Sequence, residues 1–180
     1  MKVVAIVGMP GSGKSEVARV FEHHGFKRIR FGDITDEEVI KRGLPLNEET
    51  ERNVRESLRR EHGMAAYAKL SLPKIEAALE KTDVVADGLY SWEEYNLLKS
   101  HFQDQFAVVA IWTSPATRYR RLETRLVRPL TKAEAAARDN AEIENLNKGG
   151  PIAMADYTIC NESDIKELQH NTVKVIACLK

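Results

Sequence analysis

Cysteine is scarce in this 180-residue chain: Cys160 and Cys178 are the only two, so there is no disulfide framework and no CxxC pair. Thiols kept reduced inside a cell are the reading this supports. Excess charge is missing too, with 27 Lys+Arg against 27 Asp+Glu. A general nucleic-acid or polyanion binder would carry a basic surplus, so general nucleic-acid binding is not expected. Nor is there a long apolar run. Val3–Val7 gives five residues before Gly8, too few for a signal-peptide core, and nothing else approaches the roughly 18 apolar residues of a membrane span. The histidines, His23, His24, His62, His101 and His170, are scattered without metal-ligand spacing, which argues against zinc. Aromatics are only 7%, and Trp92 and Trp112 read as packing residues. No linker, repeat or low-complexity tract divides the chain. What is present is 43% hydrophobic residues, enough for a sizeable core. A soluble cytoplasmic protein of one domain is expected.

Short β-branched runs alternate with longer amphipathic stretches. Val3–Val7 is apolar at every position, as in a strand buried on both faces of a parallel sheet. Val17, Val20, Phe21 and His24 follow at helical spacing, with Gly25 as a stop. Further strands are expected at 26–31, 84–86, 107–112 and 157–160, and helices at 35–42, 47–62, 64–81, 91–101, 115–127, 131–147 and 163–179. Ser114-Pro115 provides an N-cap with proline at the first helical position, and Thr131 with Glu134 has capping-box spacing. Strand–helix alternation predicts an α/β layered fold with right-handed crossovers. The core would comprise about 1–32, 82–126 and 151–180, with a helical insertion at about 33–81 and a lid at about 127–150.

Gly8-Met9-Pro10-Gly11-Ser12-Gly13-Lys14-Ser15 satisfies G-x-x-x-x-G-K-S/T at every specified place, after a buried strand and at the head of an amphipathic helix. Glycines let the backbone turn tightly and aim successive N–H groups at phosphate oxygens, and the helix adds its positive end. Lys14 should reach the β- and γ-phosphates of ATP, while the Ser15 hydroxyl should ligate Mg²⁺. Asp87, closing Val84-Val85-Ala86-Asp87 ahead of Gly88, belongs in the crevice where α/β sheets bind ligands and could hold the Mg²⁺ hydration shell. A guanine-specific switch is disfavoured: Asn147-Lys148 is followed by Gly149-Gly150 without the required acid.

Three further landmarks occur in order. Gly32-Asp33 resembles the Gly-Asp that opens the acceptor insertion of adenylate kinases, and Asp87-Gly88-Leu89-Tyr90 resembles their Asp-Gly-Phe-Pro-Arg. Ala155-Asp156-Tyr157-Thr158-Ile159-Cys160-Asn161 resembles the Ala-Asp-x-x-Ile-x-Asn of dephospho-CoA kinases. Together they look most like the archaeal-type adenylate-kinase-related family, often likened to dephospho-CoA kinase. The resemblance implies a three-layer α/β/α P-loop fold on a mainly parallel five-stranded sheet. It also implies ATP·Mg²⁺ as donor and a small nucleotide-like acceptor touching Asp33 and Gly88. Asn161 would lie beside the donor base.

Such chemistry uses arginines on a mobile element. Arg118, Arg120, Arg121, Arg125 and Arg128 fall within eleven residues that contain one acid, Glu123. Arg118, Arg121 and Arg125 share a helical face, with Tyr119, Leu122 and Leu126 on the adjacent apolar one. Arg121, Arg125 and Arg128 are the expected catalytic cations, Arg118 lies on the donor side, and Arg138-Asp139 would close over the same phosphates. The family pattern breaks at Asp36 and Tyr90, where arginines are usual. From Asp33 to Glu51 seven acids face two bases. Either Arg52, Arg55, Arg59 or Arg60 turn inward to replace the missing cations, or the acids are paired along their own helices. A kinase is therefore the leading expectation; a nucleotide-binding regulatory or assembly module with slow ATPase activity is the rival.

Overall fold

A computed structural model of the chain describes residues 1–126 and 129–179. Five strands form one sheet: β1 (Val3–Val7), β2 (Lys27–Arg30), β3 (Val84–Asp87), β4 (Phe106–Trp112) and β5 (Tyr157–Cys160). Their order is β2-β3-β1-β4-β5 and every pairing is parallel, so all five carboxyl ends lie along one rim. Val3 stands beside Val84 on one side and Phe106 on the other.

Alternation along β1 builds two cores. Val3, Ala5 and Val7 face helices α3 (Glu48–His62), α4 (Ala66–Leu79) and α5 (Trp92–Phe102) through Val54, Leu58, Tyr67, Ile75 and Leu98. Val4 and Ile6 face α1 (Lys14–His23) and α9 (Ile165–Leu179) through Val17, Phe21, Leu168 and Ile176. Both faces of the strand are fully buried, which is why it reads as an unbroken apolar run. The result is the three-layer α/β/α P-loop architecture expected, with a sheet that is wholly parallel.

The remaining helices are α2 (Gly32–Lys41), α6 (Pro115–Thr124), α7 (Lys132–Glu144) and α8 (Gly149–Ala153). The caps legible in the sequence form: Ser114 accepts from the Thr117 amide ahead of Pro115, and Thr131 and Glu134 make a reciprocal capping box. Some expectations are corrected. The second helix starts at Gly32, not 35, so Asp33 lies in its first turn, where the helix dipole favours an acid. α6 ends at Thr124 rather than 127, and the separate five-residue α8 was not foreseen. Trp92 does pack, stacking on Tyr95 with centroids 5.0 Å apart, whereas Trp112 at the end of β4 is 50% exposed.

Beneath the rim, α5 starts with a second capping box. Glu94 Oε2 accepts from the amides of Tyr90 (2.8 Å) and Ser91 (3.3 Å), and Ser91 Oγ accepts from the Glu94 amide while donating to the Met64 carbonyl. Glu94 is 0% exposed and its other oxygen, Oε1, has no hydrogen-bond partner among the described residues. Burial pushes its carboxyl from 4.5 up to about 7, against the two backbone N–H groups and Arg59, which pull it down. The folded state therefore holds a proton that the unfolded chain has released, so stability falls as pH rises from about 4.5 through 7. Glu94→Gln should match the native protein at pH near 5 and exceed it at pH 8 by on the order of 2–3 kcal/mol. Denaturant melts at the two pH values measure this, and parallel pH profiles would refute it.

Candidate active site

The segment Gly8–Ser15 leaves the carboxyl end of β1 and wraps in front of α1. Its carbonyls are tied to the body of the protein. Asn161 Nδ2 donates to the Ser12 carbonyl at 2.8 Å, Thr113 Oγ1 reaches the same oxygen at 3.3 Å, and Arg118 Nη1 donates to the Pro10 carbonyl at 3.2 Å. Lys14 Nζ donates to the Met9 carbonyl at 3.1 Å, closing the loop on itself. In a loop anchored by its carbonyls, the N–H groups are what remains for an anion. Glycine is required where the loop meets its supports. At Gly8 (φ +155°) a Cβ would lie 2.6 Å from the Ile111 carbonyl oxygen, and at Gly13 (φ +99°) it would lie 2.4 Å from Asn161 Nδ2.

Asn161 is thus a support of the phosphate loop through its side chain. Arg118 departs further from expectation. It does not share an open face with Arg121 and Arg125; it is 4% exposed and turned into the protein with Leu122. Nη1 and Nη2 form a bidentate pair with Asp139 at 2.9 and 2.7 Å, and Nε donates to the Thr113 carbonyl at 3.1 Å. Tyr119 adds a 3.0 Å bond to the same carboxylate. A guanidinium with its donors directed at protein acceptors ties α6, α7, β4 and the loop together.

Ser15 is exposed in the first turn of α1, and Asp87 ends β3 at 5% exposure. These are hard oxygen donors of the kind Mg²⁺ takes alongside water and phosphate, so the donor set fits that ion. Asp87 is already oriented by Arg28 on the neighbouring strand, whose Nη2 and Nε lie 2.5 and 3.1 Å from Oδ2. Arg121 lies half-buried on α6, and Arg125, also half-buried, follows as the residue that caps its end. Arg121 acts on the titration of Glu162, whose carboxyl is lowered chiefly by the Ser114 amide and the Thr117 hydroxyl. Arg128 lies outside the described residues.

Several residues in the site were not anticipated. Arg30 Nη1 bridges Asp33 (2.7 Å) and Asp36 (2.9 Å), so the acid at 36 is neutralised by the strand before it. Glu37 pairs with Lys74, Glu38 with Arg42 and Lys41, and Glu51 with Arg55, all within 3.5 Å. Arg59 turns inward, its guanidinium 5.2 Å from the Tyr67 ring and its buried Nε without a hydrogen-bond partner among the described residues, while Arg52 and Arg60 stay exposed. Local pairing therefore occurs for several of the acids, and one of the four arginines faces inward. Tyr90 folds back over Gly88, where a Cβ would lie 2.7 Å from its hydroxyl, and meets Tyr67 edge-on at 5.4 Å. Lys148 is the least expected. It is 1% exposed, with Nζ 2.5 Å from Glu142 and 5.5 Å from the centroid of Tyr90. Arg138 also donates to Glu142, at 3.3 Å. Burial, then Lys148, lowers the Lys14 ammonium to about 7, with Glu142 and Asp87 opposing. The alternating cations of Lys27–Arg30 were a readable signal for Arg28 and Arg30. No periodicity pointed to Lys148.

A family model described as an AAA domain matches residues 4–147. A UPF0200 protein of Thermococcus kodakarensis is 38% identical over 178 residues, covering 97% of this chain and 96% of that protein. One from Pyrococcus furiosus is 38% identical over 181 residues, covering 98% and 97%. Among solved structures, TT1252 from Thermus thermophilus superposes with a TM-score of 0.67 at 18% identity, over 99% of this chain and 98% of that one. Shikimate kinase from Bacteroides thetaiotaomicron gives 0.64 at 14%, over 99% and 98%. A gluconokinase from Sinorhizobium meliloti gives 0.59 at 16%, over 99% and 93%. At these identities the likeness is one of fold.

The buried Arg118–Asp139 pair yields a direct test. Asp139→Ala strands a guanidinium in the interior and should cost about 3–5 kcal/mol, whereas Arg118→Met with Asp139→Leu should cost clearly less. Denaturant melts of the single and double variants decide it. Equal losses would show that Arg118 is not held as a buried ion pair.

Proposed function

The chain belongs to the UPF0200 family and carries a P-loop AAA domain, and we propose that it is a small-molecule kinase. It would transfer the γ-phosphoryl group of ATP to a nucleotide-like acceptor of the nucleoside-monophosphate or dephospho-CoA type. The observation that carries this reading is the meeting of two sets of cations. Lys14 comes from the phosphate loop, and Lys148 and Arg138 come from the α7–α8 segment, close enough for both to act on Lys14. Cations brought to phosphate from two separate segments suit transfer, in which negative charge spreads over the moving group and the protein acts by positioning and neutralisation. A loop that only held a nucleotide would not require the second set.

In this reading the N–H groups of Gly8–Ser15 hold the donor phosphates, and Asn161, Thr113 and Arg118 keep that cradle rigid. Ser15 and Asp87 would hold Mg²⁺, which when bound neutralises phosphate charge. Arg121, Arg125 and Arg128 would be brought in by closure, which excludes water that would otherwise hydrolyse ATP. The acceptor would seat over Gly88 between Asp33 and the Tyr67–Tyr90 wall. Arg59 would supply a cation of the kind that positions 36 and 90 lack. The solved structures named as shikimate kinase and gluconokinase support a small organic acceptor on this fold. One observation favours a second reading, a regulatory or assembly module with slow ATPase activity: the Tyr90 ring fills the space over Gly88.

An ATP-dependent assay with AMP, CMP, dephospho-CoA, nucleosides, shikimate and gluconate separates the two. Saturable phosphate transfer to one acceptor is expected, and ATP hydrolysis indifferent to all of them would overturn the kinase. Lys14→Ala should lower turnover about 100-fold or more while the circular dichroism spectrum is unchanged. Undiminished turnover would remove the phosphate loop from the mechanism.

A further inference from the structure

Glu142 is surrounded by more positive charge than its own stabilisation needs. Lys148 Nζ is 2.5 Å from Oε2, and Arg138 Nε is 3.3 Å from Oε1. Lys14 is the third cation acting on this carboxyl, which the three together hold below its ordinary range against the burial that would raise it. One carboxylate would be enough to pair Lys148. Three cations from two separate elements converge instead, and one of them is the lysine that a phosphate loop directs at the β- and γ-phosphates. Lys148 itself is 1% exposed, and the face of Tyr90 lies 5.5 Å below its ammonium. Burying a lysine this deeply is costly unless its charge is paired. Tyr90 in turn lies over Gly88, just past the end of the strand beside β1 from which the phosphate loop springs, so Lys148 and Glu142 stand at the loop's rim.

We propose that Glu142 occupies the place of the donor's terminal phosphoryl group in the empty protein, and that Lys148 exchanges this carboxylate for the phosphoryl oxygens when a nucleoside triphosphate binds. The inference rests on the kinase reading and deepens it by assigning a residue to the γ-phosphoryl group. A diphosphate has no group to place there, so Glu142 keeps its position and Lys148 its partner. Lys148 thereby distinguishes triphosphate from diphosphate, with the exchange felt at the end of α7 and the start of α8.

The test is calorimetric binding of a non-hydrolysable ATP analogue and of ADP, both with Mg²⁺, to the full chain and its variants. Glu142→Gln removes the competing charge and should tighten the triphosphate analogue by about 5-fold or more, leaving ADP within about 2-fold. Lys148→Met should weaken the triphosphate analogue by about 10-fold and spare ADP. Should Lys148→Met fold poorly because Glu142 is left unpaired, the double variant Glu142→Gln/Lys148→Met removes both charges and should still show a reduced triphosphate-to-diphosphate preference. If the variants shift the two nucleotides equally, Glu142 is only a structural partner and the inference is overturned while the kinase reading stands. If the native chain binds neither nucleotide, both are overturned.

Discussion

The carbonyl of Ser12 receives two bonds from two different strand ends, from the side chain of Asn161 after β5 and from Thr113 after β4. A phosphate loop has to present N–H groups, and it can do so stably only if its carbonyls, which point the other way, find partners elsewhere. The requirement reaches far along the chain. Thr113 bonds the Asn161 carbonyl as well, so the ends of β4 and β5 are joined beneath the loop. Arg118 takes the Pro10 carbonyl, and its charge is met by Asp139 from α7, whose Ala135 is buried as well. The parallel sheet makes this possible by bringing the carboxyl ends of β1, β4 and β5 to one rim.

Zero net charge conceals a strongly sorted interior. Acids near the acceptor side are matched locally, Asp33 and Asp36 by Arg30 and Asp87 by Arg28, so the cations of the edge strand hold carboxylates still where the sheet ends. On the loop side the balance reverses, with Lys14, Arg138 and Lys148 all acting on the carboxylate of Glu142. Fixed dipoles and charges of this kind act on a phosphate without reorganising when it arrives, which is where a protein doing phosphoryl chemistry concentrates its advantage.

The parts of this arrangement that were legible in the sequence are those set by near neighbours. Val3–Val7 announces a doubly buried strand, Ser114-Pro115 and Thr131 with Glu134 announce helix starts, and Gly8–Ser15 announces an anion loop, because spacing alone determines each. Arg118 was misread as part of an open stripe because a periodicity argument places charged residues outside, and nothing in α6 says that Asp139 waits across the interface. Lys148 was invisible for the opposite reason. Its pairing with Glu142 spans six positions, crosses Asn147 in a left-handed conformation (φ +50°), and depends on a tyrosine far back in the chain. Asn147-Lys148 was informative only as a failed guanine motif. The strand bases Arg28 and Arg30 lie between these cases, since their alternation was visible and their partners were not.

Tyr90 joins the two halves of the site. Its hydroxyl lies over Gly88, its ring meets Phe31 and Tyr67 edge-on, and its face supports the ammonium of Lys148. Its backbone amide is also held by Glu94 at 2.8 Å, so the main chain at this point is anchored independently of the ring. In the kinase reading an acceptor seated over Gly88 has to displace the ring, and the ring cannot leave without withdrawing the surface on which Lys148 rests. A lysine already drawn to the triphosphate would then lose its contact with the ring as the acceptor arrives, which would couple the two substrates through Tyr90. Tyr90 would in this way provide a link between the two substrates in place of the direct cationic contact that an arginine at this position would make with an acceptor.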